Sequence, residues 1–150
     1  MSEIGFYHLT RTRLDQALPK LLGRVLGSGG RAFVLCGDGE RAKALDAALW
    51  TVPDPDWLPH GMAGGQDDAL QPILIGTEDA APGNGARFLF LVDGAASARL
   101  DEYDRVFDLF DGADDAAVAA ARGRWAATKA AGHTLAYWQQ GQAGWEKRGG

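Results

Sequence analysis

The sequence predicts a single α/β domain with a mostly parallel sheet flanked by helices, on two observations. Apolar runs of strand length alternate with segments of helical periodicity. One of them, 32–36, is apolar without interruption, as in a strand buried on both faces of a parallel sheet. The 150 residues suffice for one core and are read as one domain, 1–150.

Taken in order, residues 4–9 form a short apolar first strand. Leu14, Leu18, Leu21, Leu22, Val25 and Leu26 recur at helical spacing, and Gly27-Ser28-Gly29-Gly30 stops that helix. After the strand at 32–36, residues 40–50 form a second helix with Ala42, Leu45 and Leu49 on one face. Pro53, Pro55, Pro59, Gly61, Gly64, Gly65 and Pro72 forbid a long element across 51–72. Strands resume at 73–75 and 87–92, separated by a loop at 77–86, and continue at 105–110. An Ala-rich helix runs from about 114 to 131, closed by Gly132. Residues 133–138 are the last strand, and 139–150 are a polar tail holding Trp145. The order of elements is Rossmann-like.

Composition narrows the function. Apolar residues make up 46% and charged residues 23%, as in ordinary globular proteins. No apolar run approaches the roughly 18 residues of a membrane span, and no signal peptide is read at the N-terminus. The single cysteine, Cys36, fits a reducing, cytoplasmic setting. The net charge of −5 disfavours direct nucleic-acid binding without a strong local basic patch. The acidic residues gather at 101–115 and basic ones reappear at Arg122, Arg124, Lys129, Lys147 and Arg148, which suits a protein partner.

Chemistry-bearing motifs are scarce. A phosphate cradle needs backbone N–H groups at a strand-to-helix turn. Only the Cys36-Gly37-Asp38-Gly39-Glu40 turn has that location, and it sets two carboxylates where phosphates would lie. A nucleotide-binding α/β enzyme using this turn is the alternative reading. His8, His60 and His133 lack a second ligand at helical spacing, so no metal site is expected. No catalytic residue and no cofactor are expected either.

The Ala-rich helix carries the sharper signal. At about 100° per residue, Val118, Arg122, Trp125 and Lys129 fall on one stripe. Ala116, Ala119, Ala120, Gly123, Ala126, Ala127, Ala130 and Ala131 form the opposite face. Small side chains let a helix lie close on a sheet, so the alanine face is expected inward. Trp125 is then outside, between two cations, in the composition of a protein-binding hot spot.

Ordered blocks along nearly the whole chain resemble the chi subunit of bacterial DNA polymerase III. They are Phe6-Tyr7-His8-Leu9, Arg41 with Leu45-Asp46-Ala47-Ala48-Leu49-Trp50, Trp57-Leu58-Pro59-His60-Gly61 and Gln71-Pro72-Ile73-Leu74-Ile75. The series continues with Arg105-Val106-Phe107-Asp108-Leu109-Phe110-Asp111-Gly112 and Ala121-Arg122-Gly123-Arg124-Trp125. Gly132-His133-Thr134-Leu135, Tyr137-Trp138-Gln139-Gln140 and Gly144-Trp145-Glu146-Lys147 complete it.

The resemblance implies a non-catalytic accessory subunit that binds no nucleotide. Such subunits tether the replicase to single-stranded-DNA-binding protein by holding its acidic, phenylalanine-terminated C-terminal tail. A psi subunit, where one exists, connects them to the clamp loader through a separate surface. Nucleic acid is then met only indirectly, and the chain is a monomer within a hetero-complex. By family position Arg122 takes the tail carboxylate, Trp50, Trp57 and Phe110 line the pocket, and Trp125 and Lys129 extend it. Trp50 and Phe110 fit core packing equally well. The chain departs from the family at Ala126 and Ala127, where the helix often carries cations. Weaker, more salt-sensitive attraction to an acidic tail is expected.

Overall fold

The computed structural model describes residues 3–51 and 58–149 of the chain. The described strands are β1 (Glu3–Leu9), β2 (Ala32–Leu35), β3 (Gly61–Met62), β4 (Ile73–Gly76), β5 (Phe88–Leu91), β6 (Arg105–Asp111), β7 (Thr134–Gly141) and β8 (Gly144–Gly149). The described α-helices between them are α1 (Leu14–Gly27), α2 (Gly39–Trp50) and α3 (Asp115–Ala130). The strands form one sheet in the order β3-β4-β2-β5-β6-β1-β7-β8. Every pairing is parallel except β7 with β8. Among the described residues no helix is long and apolar enough to cross a membrane.

The central strands are apolar at successive positions because both faces are covered, one by α1 and α2 and the other by α3 together with loop residues that include Ala95 and Tyr103. On one face, Leu18, Leu21, Leu22 and Val25 of α1 and Ala42, Leu45 and Leu49 of α2 pack on Val34, Ile73, Ile75, Phe90 and Phe107. On the other, Ile4, Phe6, Leu74, Leu89, Val106 and Phe110 meet Ala121 of α3 and Tyr103 from the loop before β6. The period of two along each strand sorts Ile73 and Ile75 to one face and Leu74 to the other.

Two sequence expectations are corrected. The 139–150 segment is not a tail: β7 continues to Gly141, and β8 pairs antiparallel along it. Gly144 takes φ +128° at the turn, a left-handed conformation that favours glycine. Trp145 then packs edge-on against Tyr7, with ring centroids 5.0 Å apart.

The second correction concerns α3. All eight residues of its small-side-chain face are exposed, whereas Ala121 is buried and Val118, Arg124, Trp125 and Thr128 are half-buried. The helix therefore faces the sheet with the stripe that carries tryptophan. Burying one indole removes far more apolar area from water than burying methyl groups. Arg122 and Lys129 stay exposed at the edge of that stripe, so no unpaired charge is buried.

Candidate functional site

The contact between α3 and the sheet leaves a cavity of about 180 Å³, lined by Phe6, Phe110, Val118, Ala121, Arg122, Trp125 and Tyr137. Its floor comes from three adjacent strands, with Phe6 on β1, Phe110 on β6 and Tyr137 on β7. Its roof is the inward stripe of α3. Asp114 fixes the start of that helix, its carboxylate accepting from the Ala116 and Ala117 N–H groups at 3.0 and 3.2 Å. Trp125 meets Phe6 edge-on at 5.3 Å and Tyr137 at 6.0 Å between centroids. An apolar cavity of roughly 150 Å³ accommodates a benzene ring, so this pocket is large enough for one phenyl side chain.

The two arginines beside the pocket have different tasks. Arg124 donates two hydrogen bonds to Asp108, at 2.6 and 2.9 Å, and that carboxylate is only 2% exposed. This pair ties α3 to β6. Burial pushes the Asp108 carboxyl up, and the Arg124 guanidinium pulls it back. Arg122 is exposed at the pocket rim, and among the described residues it has no ion pair or hydrogen-bonded side-chain partner. A free guanidinium beside an apolar cavity is suited to a carboxylate attached to an apolar group.

Of the residues expected at the site, the structure brings together Arg122, Trp125 and Phe110. Lys129 is exposed on α3 one turn beyond Trp125 and outside the lining. Trp50 ends α2 on the opposite face of the sheet, 54% exposed, its ring 4.4 Å from that of His60. Trp57 lies outside the described residues. Phe6 and Tyr137 were not foreseen. Alternation along 4–9 places Phe6 and His8 on the face of Phe110, but only the sheet order sets Tyr137 beside them.

The alternative site is occupied by the chain itself. The Asp38 carboxylate caps α2, accepting from the Arg41 N–H at 2.8 Å, and the Arg41 side chain pairs with Asp93 at 3.1 Å. Gly37 is required by packing, since a Cβ there would lie 2.7 Å from the Asp93 carbonyl oxygen. Cys36 beside this turn is buried, and burial, reinforced by the Asp93 charge, pushes its thiol up to about 12. Native protein is therefore expected to resist iodoacetamide at neutral pH until unfolded. Stoichiometric labelling of the folded chain within minutes, followed by mass spectrometry, would contradict this. Among the described residues no group of three or more His, Cys, Asp or Glu side chains is placed to hold a metal ion.

Fold and pocket together define a one-sheet α/β module with a phenyl-sized slot, at whose mouth stands an arginine with no side-chain partner among the described residues. Residues 1–136 match the profile of the family described as "DNA polymerase III chi subunit, HolC". The chain belongs to that family, whose members are accessory subunits of DNA polymerase III. It is 27% identical over 109 residues to "Probable DNA polymerase III subunit chi" of Rickettsia prowazekii, covering 71% of this chain and 66% of that protein. It is 26% identical over 113 residues to the chi subunit of Pseudomonas aeruginosa, covering 73% and 77%. A 62-residue stretch is 31% identical to that of Escherichia coli, covering 41% and 42%.

Proposed function

We propose that this chain is a non-catalytic, cytoplasmic adaptor of the replicase that holds the acidic C-terminal tail of single-stranded-DNA-binding protein in the α3 pocket. The observation that carries the reading is the coincidence of a phenyl-sized cavity with an arginine at its rim that has no side-chain partner among the described residues. A C-terminal phenylalanine presents a ring and a carboxylate on one residue, and the two features lie where both are satisfied. The ring leaves water for a slot walled by Phe6, Phe110, Trp125 and Tyr137, and the carboxylate takes a charge-assisted, bidentate pair with Arg122. Lys129 extends the positive edge toward acidic residues upstream in the tail. The alternative, a nucleotide-dependent enzyme, has less support because Asp38 already caps the helix N-terminus it would need.

An adaptor needs a second surface. Trp50, Met62 and Leu70 are exposed by 54%, 39% and 72%, and they lie at the β3–β4 end of the sheet, away from α3. We place the contact to the clamp loader there, through a psi subunit where one exists. The chain then acts as a monomer in a hetero-complex and meets nucleic acid only through its partner.

Titration calorimetry with an acidic peptide ending in free phenylalanine tests the first half of this reading. Saturable binding of one peptide per chain is expected, weakening as salt rises because the rim pair is exposed to solvent. Absence of binding at low salt would refute the tail-holding function. Saturable nucleotide binding in the same instrument would favour the enzyme.

A further inference from the structure

Behind the pocket stands a titratable group that the reading above does not use. His8 follows Phe6 on the same face of β1, its ring stacked on Phe110 at 4.9 Å and perpendicular to Tyr137 at 5.9 Å. Its Nδ1 lies 2.5 Å from the Tyr137 hydroxyl. Gly112 closes over the imidazole, since a Cβ there would sit 2.5 Å from both His8 Nε2 and the Leu9 carbonyl oxygen. Phe110, Tyr137 and Gly112 thus hold the ring from three sides, and Tyr137 itself lines the cavity with Arg122.

We infer that the Tyr137 hydroxyl is a second contact for the ligand's terminal carboxylate, and that His8 is a positioning residue which sets the direction of that hydroxyl according to its own protonation. The inference rests on the tail-pocket reading above. When Nδ1 of the neutral ring lacks a proton, it accepts from Tyr137, and the hydroxyl proton is turned away from the pocket. In the imidazolium, Nδ1–H donates to the tyrosine oxygen, and the hydroxyl proton is left to donate to an anion beside Arg122.

The surrounding charges fit this arrangement. Tyr137 on β7 and Arg122 on α3 face the ring. From the end of β6, the Asp111 carboxylate accepts from the Ala113 N–H at 2.9 Å, and Asp114 is committed to capping α3. Burial first, and then the Arg122 charge, hold His8 below its ordinary value in the empty protein. A ligand carboxylate neutralises Arg122 and adds a negative charge near the ring, so the bound complex holds the His8 proton more firmly. A group whose value rises on binding makes affinity increase as pH falls.

The experiment is fluorescence anisotropy with the full chain and two labelled acidic peptides, one ending in phenylalanine and one in its amide, at about pH 6 and about pH 8. Wild type is expected to bind the free acid roughly threefold tighter at the lower pH, and the amide with little pH dependence. Tyr137→Phe keeps the aromatic wall and is expected to bind the free acid as wild type does near pH 8 but to lose the roughly threefold gain near pH 6, with amide binding unchanged. His8→Gln is expected to match wild type near pH 8 and to lose the gain at lower pH. An intact low-pH gain in Tyr137→Phe or in His8→Gln overturns the inference and leaves the tail pocket standing. No binding of either peptide by wild type overturns the tail pocket itself, and this inference with it.

Discussion

Replacing Arg122 by glutamate is expected to weaken binding of a free-acid, phenylalanine-terminated acidic peptide roughly a hundredfold, about 3 kcal/mol, without destabilising the fold. The size follows from losing a charge-assisted pair and placing a like charge against the ligand carboxylate. The neutral effect on stability follows from position. Arg122 is exposed, has no partner to leave behind among the described residues, and glutamate is as good a helix former as arginine. Anisotropy and a thermal melt on one preparation check both halves. A melting temperature lowered by more than about 5 °C would show instead that Arg122 holds the fold together.

The reverse pattern is expected two residues along. Arg124→Ala removes one partner of a buried, doubly hydrogen-bonded pair and strands the Asp108 carboxylate between α3 and β6. Such a loss costs about 3–5 kcal/mol, which for a chain of this size lowers the melting temperature by roughly 10 °C. The double variant Asp108→Leu, Arg124→Met removes both charges and is expected to recover most of the loss, because an apolar pair of similar volume replaces a costly ionic one. Differential scanning calorimetry of the three variants decides. Equal destabilisation by the single and double variants would mean that the charges are incidental and that packing alone is at stake.

The contrast between these neighbours marks where the sequence stops being informative. Arg122 and Arg124 are both cations near Trp125, and nothing local separates them. Only the sheet, which puts Asp108 beneath one and open rim beneath the other, assigns their roles. The strands were legible because 32–36 and 73–75 are apolar at every position, as burial on both faces demands, and 106, 107, 109 and 110 add a third apolar run broken by Asp108. The inward face of α3 is not legible because helical periodicity defines two faces but not which one the sheet prefers. Close alanine packing would leave the larger apolar area of Trp125 in water. β8 escaped notice because a Gly-Trp-Glu-Lys-Arg-Gly segment has little strand character alone, and its pairing comes from the open edge of β7.

The separation of Trp50 from Arg122 has the same origin. Sequence similarity names the residues of a family without saying which face of the sheet each occupies. Strand order and helix packing put α2 and α3 on opposite faces, and the one pocket expected from the sequence becomes a pocket and a separate apolar edge.

The most direct test of the pocket assignment is to map the bound tail by NMR, following backbone amide and tryptophan indole signals as the free-acid peptide is added. The largest shifts are expected on Phe6, Phe110, Arg122, Tyr137 and the Trp125 indole, with the Trp50 indole unmoved. Shifts centred on Trp50, Met62 and Leu70, with the Trp125 indole unmoved, would contradict it.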